Sequence, residues 1–188
     1  MEKDMKLRKF IATTLREYLN ENQNILLAPN GKPSNLPKKL YEYVRSDEFK
    51  NWFGDWENTN NSSKIVDENG EPMLVFHGTK VKFSDFDEDK QKIGWLGRGF
   101  YFTNDKNATK EYGKSVMKIF LNIRKPFSVN GDSPNDVYYE IKEKYGNFDE
   151  SDVSIILKQK GYDGVIFNHW DKGNMISCFS SNQIKKIS

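Results

Sequence analysis

Gly97-Arg98-Gly99-Phe100-Tyr101-Phe102-Thr103 runs directly into Asn104-Asp105-Lys106-Asn107-Ala108-Thr109-Lys110-Glu111-Tyr112-Gly113. The aromatic run Gly99–Thr103 predicts a short strand. In the second part, Asn104 or Asp105 is suited to cap a helix that Gly113 ends. Tyr101 and Tyr112, eleven positions apart, converge across that turn. Two facing rings make a slot for a flat aromatic ligand; two core tyrosines satisfy the same pattern.

Upstream, the apolar strand Met73–Phe76 ends in His77-Gly78-Thr79. Asn69-Gly70 is a hairpin turn that joins this strand to Ile65-Val66. A glycine after the histidine lets backbone amides approach a ligand closely. Downstream, Val116–Ile123 alternates as a strand and closes before Pro126, and Ser151 caps a helix running to Gly161. Val165–Phe167, Ile176–Phe179 and Ile184–Ile187 read as closing strands. Strands without regular alternation with helices predict an α+β fold rather than a doubly wound sheet.

At the N-terminus, Leu7, Ile11, Leu15 and Leu19 mark a helix over residues 5–20, its basic face carrying Lys6, Arg8, Lys9 and Arg16. Residues 21–37, rich in Asn and Pro, read as a linker. A second helix starts near Lys38, with Leu40, Tyr43 and Val44 as its stripe, and leads into the aromatic cluster Phe49–Trp56. These features divide the chain into an N-terminal segment, 1–45, and a main domain, 46–188.

A length of 188 residues suits one domain, and 14% aromatic residues compensate for a hydrophobic fraction of 36%. The net charge of +2 neither demands nor excludes nucleic acid. A single cysteine, Cys178, rules out an internal disulfide and a thiolate zinc site within one chain, and cytoplasmic placement fits best. The sequence has no run of eighteen apolar residues, so no membrane span is expected.

Several common sites fail on spacing. Gly94, Gly97 and Gly99 are in the wrong order for a dinucleotide fingerprint, and a strand follows them rather than a helix. Asp85, Asp87 and Asp89 begin like a calcium loop, but Lys90 stands where glycine must turn and Leu96 where the closing glutamate belongs. Two histidines, His77 and His169, cannot build a multi-histidine centre, and no metal is expected.

Taken in order and spacing, His77-Gly78-Thr79, Gly97–Thr103 and Tyr112 resemble the ADP-ribosyltransferases of the diphtheria-toxin and poly(ADP-ribose) polymerase type. The closer resemblance is to the ADP-ribosyltransferase domains in polyvalent proteins of phages and mobile elements. It covers roughly residues 49–188 and includes Trp52-Phe53-Gly54-Asp55-Trp56, Val66–Pro72, Phe120–Ile123, Tyr162–Ile166 and Ser181–Lys185. The resemblance implies a split β-sandwich of two small, mostly antiparallel sheets with flanking helices, preceded here by the N-terminal helical segment.

The resemblance also implies a donor site for NAD⁺. His77 would bond the adenosine ribose, and the backbone of Gly78 would grip the nicotinamide carboxamide with Thr79 beside it. Tyr101 and Tyr112 would flank the nicotinamide ring, and the hydroxyl of Thr109 would reach the carboxamide. Arg98 and Gly99 would lie near the diphosphate. Gln183 aligns with the family's signature acid and would orient the ribose hydroxyls without a charge. That departure implies transfer of single ADP-ribose units, with Asp105, Glu111 or the acceptor handling the proton.

The implied partners are NAD⁺, a protein or nucleic-acid acceptor, and an antitoxin or inhibitor, in a toxin-type or phage effector. Lys6, Arg8, Lys9, Lys38, Lys39, Lys185 and Lys186 are candidates for a basic acceptor surface. Two other readings share the donor site: an NAD⁺ glycohydrolase, with water as acceptor, and a non-catalytic binding module, favoured by glutamine at position 183.

Overall fold

The computed structural model describes residues 10–11, 13–14, 25–149, 153–169 and 173–187. Of the predicted N-terminal helix, residues 10, 11, 13 and 14 are helical, and the remainder lies outside the described residues, as does the predicted cap Ser151.

Among the described residues the strands are β1 (Val75–Thr79), β2 (Lys92–Gly94), β3 (Gly97–Thr103), β4 (Ser115–Leu121), β5 (Pro126–Gly131), β6 (Gly164–His169), β7 (Gly173–Cys178) and β8 (Ile184–Ile187). Their order is β5-β6-β7-β3-β1-β4-β8, with β2 paired to β3 outside this path. The β5–β6 pair is parallel and the other pairs are antiparallel. β1 and β3 meet through one register pair, Phe76 with Thr103. The sheet therefore consists of two halves hinged at that pair, β5-β6-β7-β3 and β1-β4-β8.

Side-chain alternation turns these halves into a sandwich. Phe100, Phe102, Ile166, Ile176 and Cys178 from one half share a buried cluster with Val75, Met117, Ile119 and Leu121 from the other. The opposite face of the first half, with Leu96, Val165 and Phe167, is covered by α3 (Asn135–Tyr145) and α4 (Val153–Gln159) through Val137, Ile141, Val153 and Leu157. The opposite face of the second half, centred on Phe120, is covered by α1 (Lys38–Val44) and α2 (Asp47–Phe53) through Val44, Phe49 and Phe53. The α+β class and the split sandwich with flanking helices both follow from this arrangement.

α2 begins where the Ser46 hydroxyl accepts from the Phe49 amide, and Asp47 and Glu48 suit the positive end of the helix. It stops at Gly54, which takes φ 99° and lies so close to Asn61 and Ser62 that a side chain has no room.

One local expectation changes, and two elements appear that the sequence did not mark. The stretch before Gly113 forms a 3-10 turn, Ala108–Tyr112, that starts at Asn107. The Asp105 carboxylate instead accepts from the Asn107 amide one step earlier. β5 and α3 had no distinct sequence signal: α3 buries Val137 and Ile141 among charged neighbours. Leu36 and Val44, which precede the expected division at residue 45, pack with Phe49, Phe53 and Phe120. Arg45 crosses that line as well, reaching the fully buried Glu71 at 2.8 Å while its guanidinium lies 3.4 Å from the centre of the Tyr41 ring.

Candidate active site

Beyond the Phe76–Thr103 pair, the backbone ladder between β1 and β3 gives way to a side-chain bridge. His77 Nδ1 lies 2.8 Å from the Tyr101 carbonyl oxygen. A carbonyl only accepts, so Nδ1 carries the proton and Nε2 keeps its lone pair. Phe83, Phe86 and Phe102 surround the ring, with centroids at 5.9, 5.2 and 5.6 Å. Burial pushes the His77 pKa below its ordinary value, and the hydrogen bond to Tyr101 opposes that only in part. His77 is therefore neutral at pH 7 and offers a hydrogen-bond acceptor at Nε2.

Gly78 follows beneath the 3-10 turn. A Cβ there would strike the Thr109 carbonyl oxygen and come within 3.0 Å of Tyr112 Cβ. The absent side chain is what allows the turn to sit on β1. Thr109 is 1% exposed, and its hydroxyl donates to the Lys106 carbonyl at 2.7 Å. Its proton thus closes the turn rather than pointing to open space. Tyr112 at the end of the turn is 61% exposed. The Thr79 hydroxyl forms a local turn, donating to the Val81 carbonyl at 2.9 Å.

Tyr101 is fixed at both ends. Its backbone carbonyl accepts from His77, while its hydroxyl donates to the Gly97 carbonyl at 2.5 Å and accepts from the Leu96 amide at 3.1 Å. The ring lies against Gly94, where an added Cβ would be 2.9 Å from the phenol oxygen. Burial, opposed by the Leu96 and Gly94 backbone, pushes the phenol up to about 12. Tyr101 thus acts as a neutral, immobilised ring. Arg98 is exposed on β3, opposite Ile93 on β2. Gly99 is buried where a Cβ would collide with Ser177 Oγ, so its smallness serves the packing of β3 on β7.

Gln183 lies elsewhere. It is 9% exposed in a 3-10 turn, Ser181–Gln183, before β8. Its Oε1 accepts from the amides of Phe179 and Ser180 at 3.0 and 2.9 Å. Its Nε2 donates to the carbonyls of Asn122 and Asp163 at 3.0 and 2.8 Å. Two lone pairs and two N–H bonds are the full capacity of a glutamine amide. With all four of these bonds, the Gln183 amide clamps backbone from three segments of the chain.

The clamp is part of a larger network. The Asp163 carboxylate accepts from the amides of Arg124 and Lys125, each at 2.8 Å. The Asn122 side chain donates to the Trp52 carbonyl at 2.6 Å, and the Trp52 indole donates to the Asn182 carbonyl at 2.9 Å. The motifs around Trp52, Asn122, Asp163 and Gln183 thus hold the sandwich together at the end of β4 where Leu121 pairs with Ile184, whereas His77 pairs with Met117 farther along.

Phe83 and Phe86 went unnoticed in the sequence. Two phenylalanines three positions apart, just after His-Gly-Thr, were the available signal. Of the nearby aspartates, Asp87 caps a 3-10 turn, Glu88–Lys90, by accepting from the Asp89 amide. Of the candidate basic surface, Lys185 pairs with Glu48 at 3.0 Å, and Lys186 bonds the carbonyls of Phe83 and Ser84. Lys38 and Lys39 are exposed, and Lys6, Arg8 and Lys9 lie outside the described residues. Among the described residues, no cluster of three or more His, Cys, Asp or Glu is arranged to hold a metal, and no helix is long and apolar enough to cross a membrane.

Residues 67–188 match the model of the family described as ADP-ribosyltransferase in polyvalent proteins. No curated protein matches the chain. Among solved structures, the crystal structure of an anti-CRISPR protein aligns at 14% identity with a TM-score of 0.36, covering 61% of this chain and 95% of that one. A likeness of that extent carries no weight for function.

Proposed function

The chain belongs to the ADP-ribosyltransferases of polyvalent proteins, and from that premise we propose that it cleaves NAD⁺ and transfers one ADP-ribose unit to a protein or nucleic-acid acceptor. The observation that carries this reading is the His77 bridge to the Tyr101 carbonyl at 2.8 Å, where β1 and β3 part. It fixes a neutral imidazole next to Gly78, which has no room for a side chain under the turn that carries Tyr112.

In this reading Nε2 of His77 accepts from a ribose hydroxyl of the adenosine. The Gly78 backbone holds the carboxamide, and Tyr101 and Tyr112 flank the nicotinamide ring. Thr79, Arg98 and Gly99 lie along the rest of the donor, Arg98 with its charge toward the diphosphate. Thr109 supports the 3-10 turn.

The bond between the ribose C1′ and the nicotinamide nitrogen breaks, and its electron pair leaves with nicotinamide. The sugar passes through an oxocarbenium-like state. A nucleophilic oxygen or nitrogen of the acceptor then bonds to C1′ and gives up its proton. Asp105 already accepts from the Asn107 amide; Glu111 is exposed beside Tyr112 and is the better placed of the two acids to take that proton. With Gln183 clamped to the backbone and no charge supplied from its position, transfer of single units fits better than chain growth.

The test is nicotinamide release from NAD⁺ by purified protein, with and without cell lysate, comparing wild type with His77→Ala. Release that depends on His77, with label from NAD⁺ recovered on macromolecules, supports the proposal. Free ADP-ribose as the only product identifies a glycohydrolase. No release under either condition identifies a binding module.

A further inference from the structure

The segment between β1 and β2, residues 80–91, is tied in two places to the C-terminal part of the chain. Lys186 on β8 donates from Nζ to the Phe83 carbonyl at 2.9 Å and to the Ser84 carbonyl at 3.2 Å. Farther along, Glu88 Oε1 accepts from the Ser181 amide at 2.6 Å and the Ser180 hydroxyl at 3.1 Å. Gln91 Nε2 donates to the Phe179 carbonyl at 3.0 Å. Between these ties stand Phe83 and Phe86, edge to face with each other at 5.0 Å and both against the His77 ring.

We propose that Lys186 is a positioning residue for the donor site: its ammonium fixes the backbone at Phe83 and Ser84, so that both phenylalanines close over His77 and hold its ring on the Tyr101 carbonyl. The assignment rests on the reading of His77 as a donor-site residue.

Three features support it. An ammonium is a compact charge with several donors, suited to two successive carbonyls, and charge-assisted bonds of this kind are the strong ones. The strand alternation of β8 gives its two lysines different tasks: Lys185 faces α2, pairing with Glu48 and lying 5.2 Å from the Trp52 ring, while Lys186 faces the segment over His77. Both phenylalanines meet the His77 ring edge to face, at 5.9 and 5.2 Å, so they contribute to its burial.

The surroundings of His77 make the effect measurable. Burial and the Tyr101 carbonyl set its protonation. Lys82, Asp85 and Asp87 flank the two phenylalanines in the segment, β1 carries no other titratable side chain, and the Tyr101 hydroxyl on β3 is turned to Gly97.

The chain has two histidines, so in a His169→Gln background the imidazole NMR titration reports His77 alone. Lys186→Met is expected to raise the titration midpoint toward the ordinary histidine value, and Lys186→Arg to return it toward that of the background. A midpoint unmoved by Lys186→Met, with the variant folded, overturns the proposal. If Lys186→Met does not fold, Lys186→Gln is titrated and read in the same way. The titration uses no NAD⁺. A protein that releases no nicotinamide while its His77 midpoint still follows Lys186 would overturn the donor-site reading and leave the staple intact.

Discussion

The His77 imidazole and the Tyr101 carbonyl, 2.8 Å apart, take over from the backbone ladder where the two halves of the sheet diverge. One hydrogen bond joins the first two motifs of the candidate donor site and selects the tautomer of the histidine. Removing the ring by His77→Ala should lower nicotinamide release at least about tenfold, the scale of a lost ribose hydrogen bond of roughly 1.4 kcal/mol. Steady-state release assays on the folded variant check this.

The two tyrosines should separate cleanly. Tyr101→Phe removes the hydroxyl that joins Gly97 to Leu96 and should cost about 1–2 kcal/mol of stability. Tyr112 is exposed, so Tyr112→Ala should change stability by no more than about 0.5 kcal/mol. Its loss should weaken NAD⁺ binding up to about tenfold, the scale of one stacking contact. Denaturant unfolding and titration calorimetry measure the two effects separately; NAD⁺ affinity unchanged in Tyr112→Ala would count against the stacking slot.

Gly78→Ala should act on the same slot through the backbone. The added Cβ meets the Thr109 carbonyl and Tyr112 Cβ, so the 3-10 turn must move and carry Tyr112 with it. NAD⁺ affinity should fall more than in Tyr112→Ala, and fluorescence or calorimetric titration of the two variants side by side gives the comparison.

Gln183 offers a sharper contrast. Gln183→Ala leaves two amides and two carbonyls of the clamp without their partner and should destabilise by roughly 2–4 kcal/mol, with turnover per folded molecule retained. Gln183→Glu would restore an acid at the position where the family resemblance places one. Here it removes both N–H donors and sets a carboxylate against the Asn122 and Asp163 carbonyls, so stability should fall again. A Gln183→Glu variant that is stable and turns over faster than wild type would return this residue to the chemistry.

The pH dependence of stability has a defined sign. His77 has a depressed pKa in the folded state, whereas in the unfolded chain it titrates near 6.5. Its contribution is fully present above that pH and is lost as pH falls through the lower folded value. Glu88 acts in the same direction at lower pH: burial raises its pKa, but the stronger combined effect of the Ser181 and Ser180 hydrogen bonds holds it below the usual carboxylate range. Thermal melts across about pH 8 to 5 should show a declining midpoint whose upper part disappears in His77→Gln.

Much of this protein was legible from local pattern. Short apolar and aromatic runs marked β1, β3 and β6–β8, and alternation marked β4, because a strand with one buried face carries its own period of two. The order and spacing of His77-Gly78-Thr79, Gly97–Thr103 and Tyr112 pointed to the family whose model matches residues 67–188, because motifs a few residues long keep their steps along the chain. Tertiary structure decided what depended on distant partners. The bonds from Gln183 reach Asn122 and Asp163, 61 and 20 residues away, and sequence spacing holds no record of them. α3 buries only two side chains among charges, too thin a stripe to stand out by itself. Residues 21–37 read as a linker and 1–45 as a separate segment, because the partners of Ser34, Val44 and Arg45, Glu71 and Phe120 among them, come much later in the chain. Phe83 and Phe86 pack on His77 in a segment whose backbone is bonded by Lys186, about a hundred residues later.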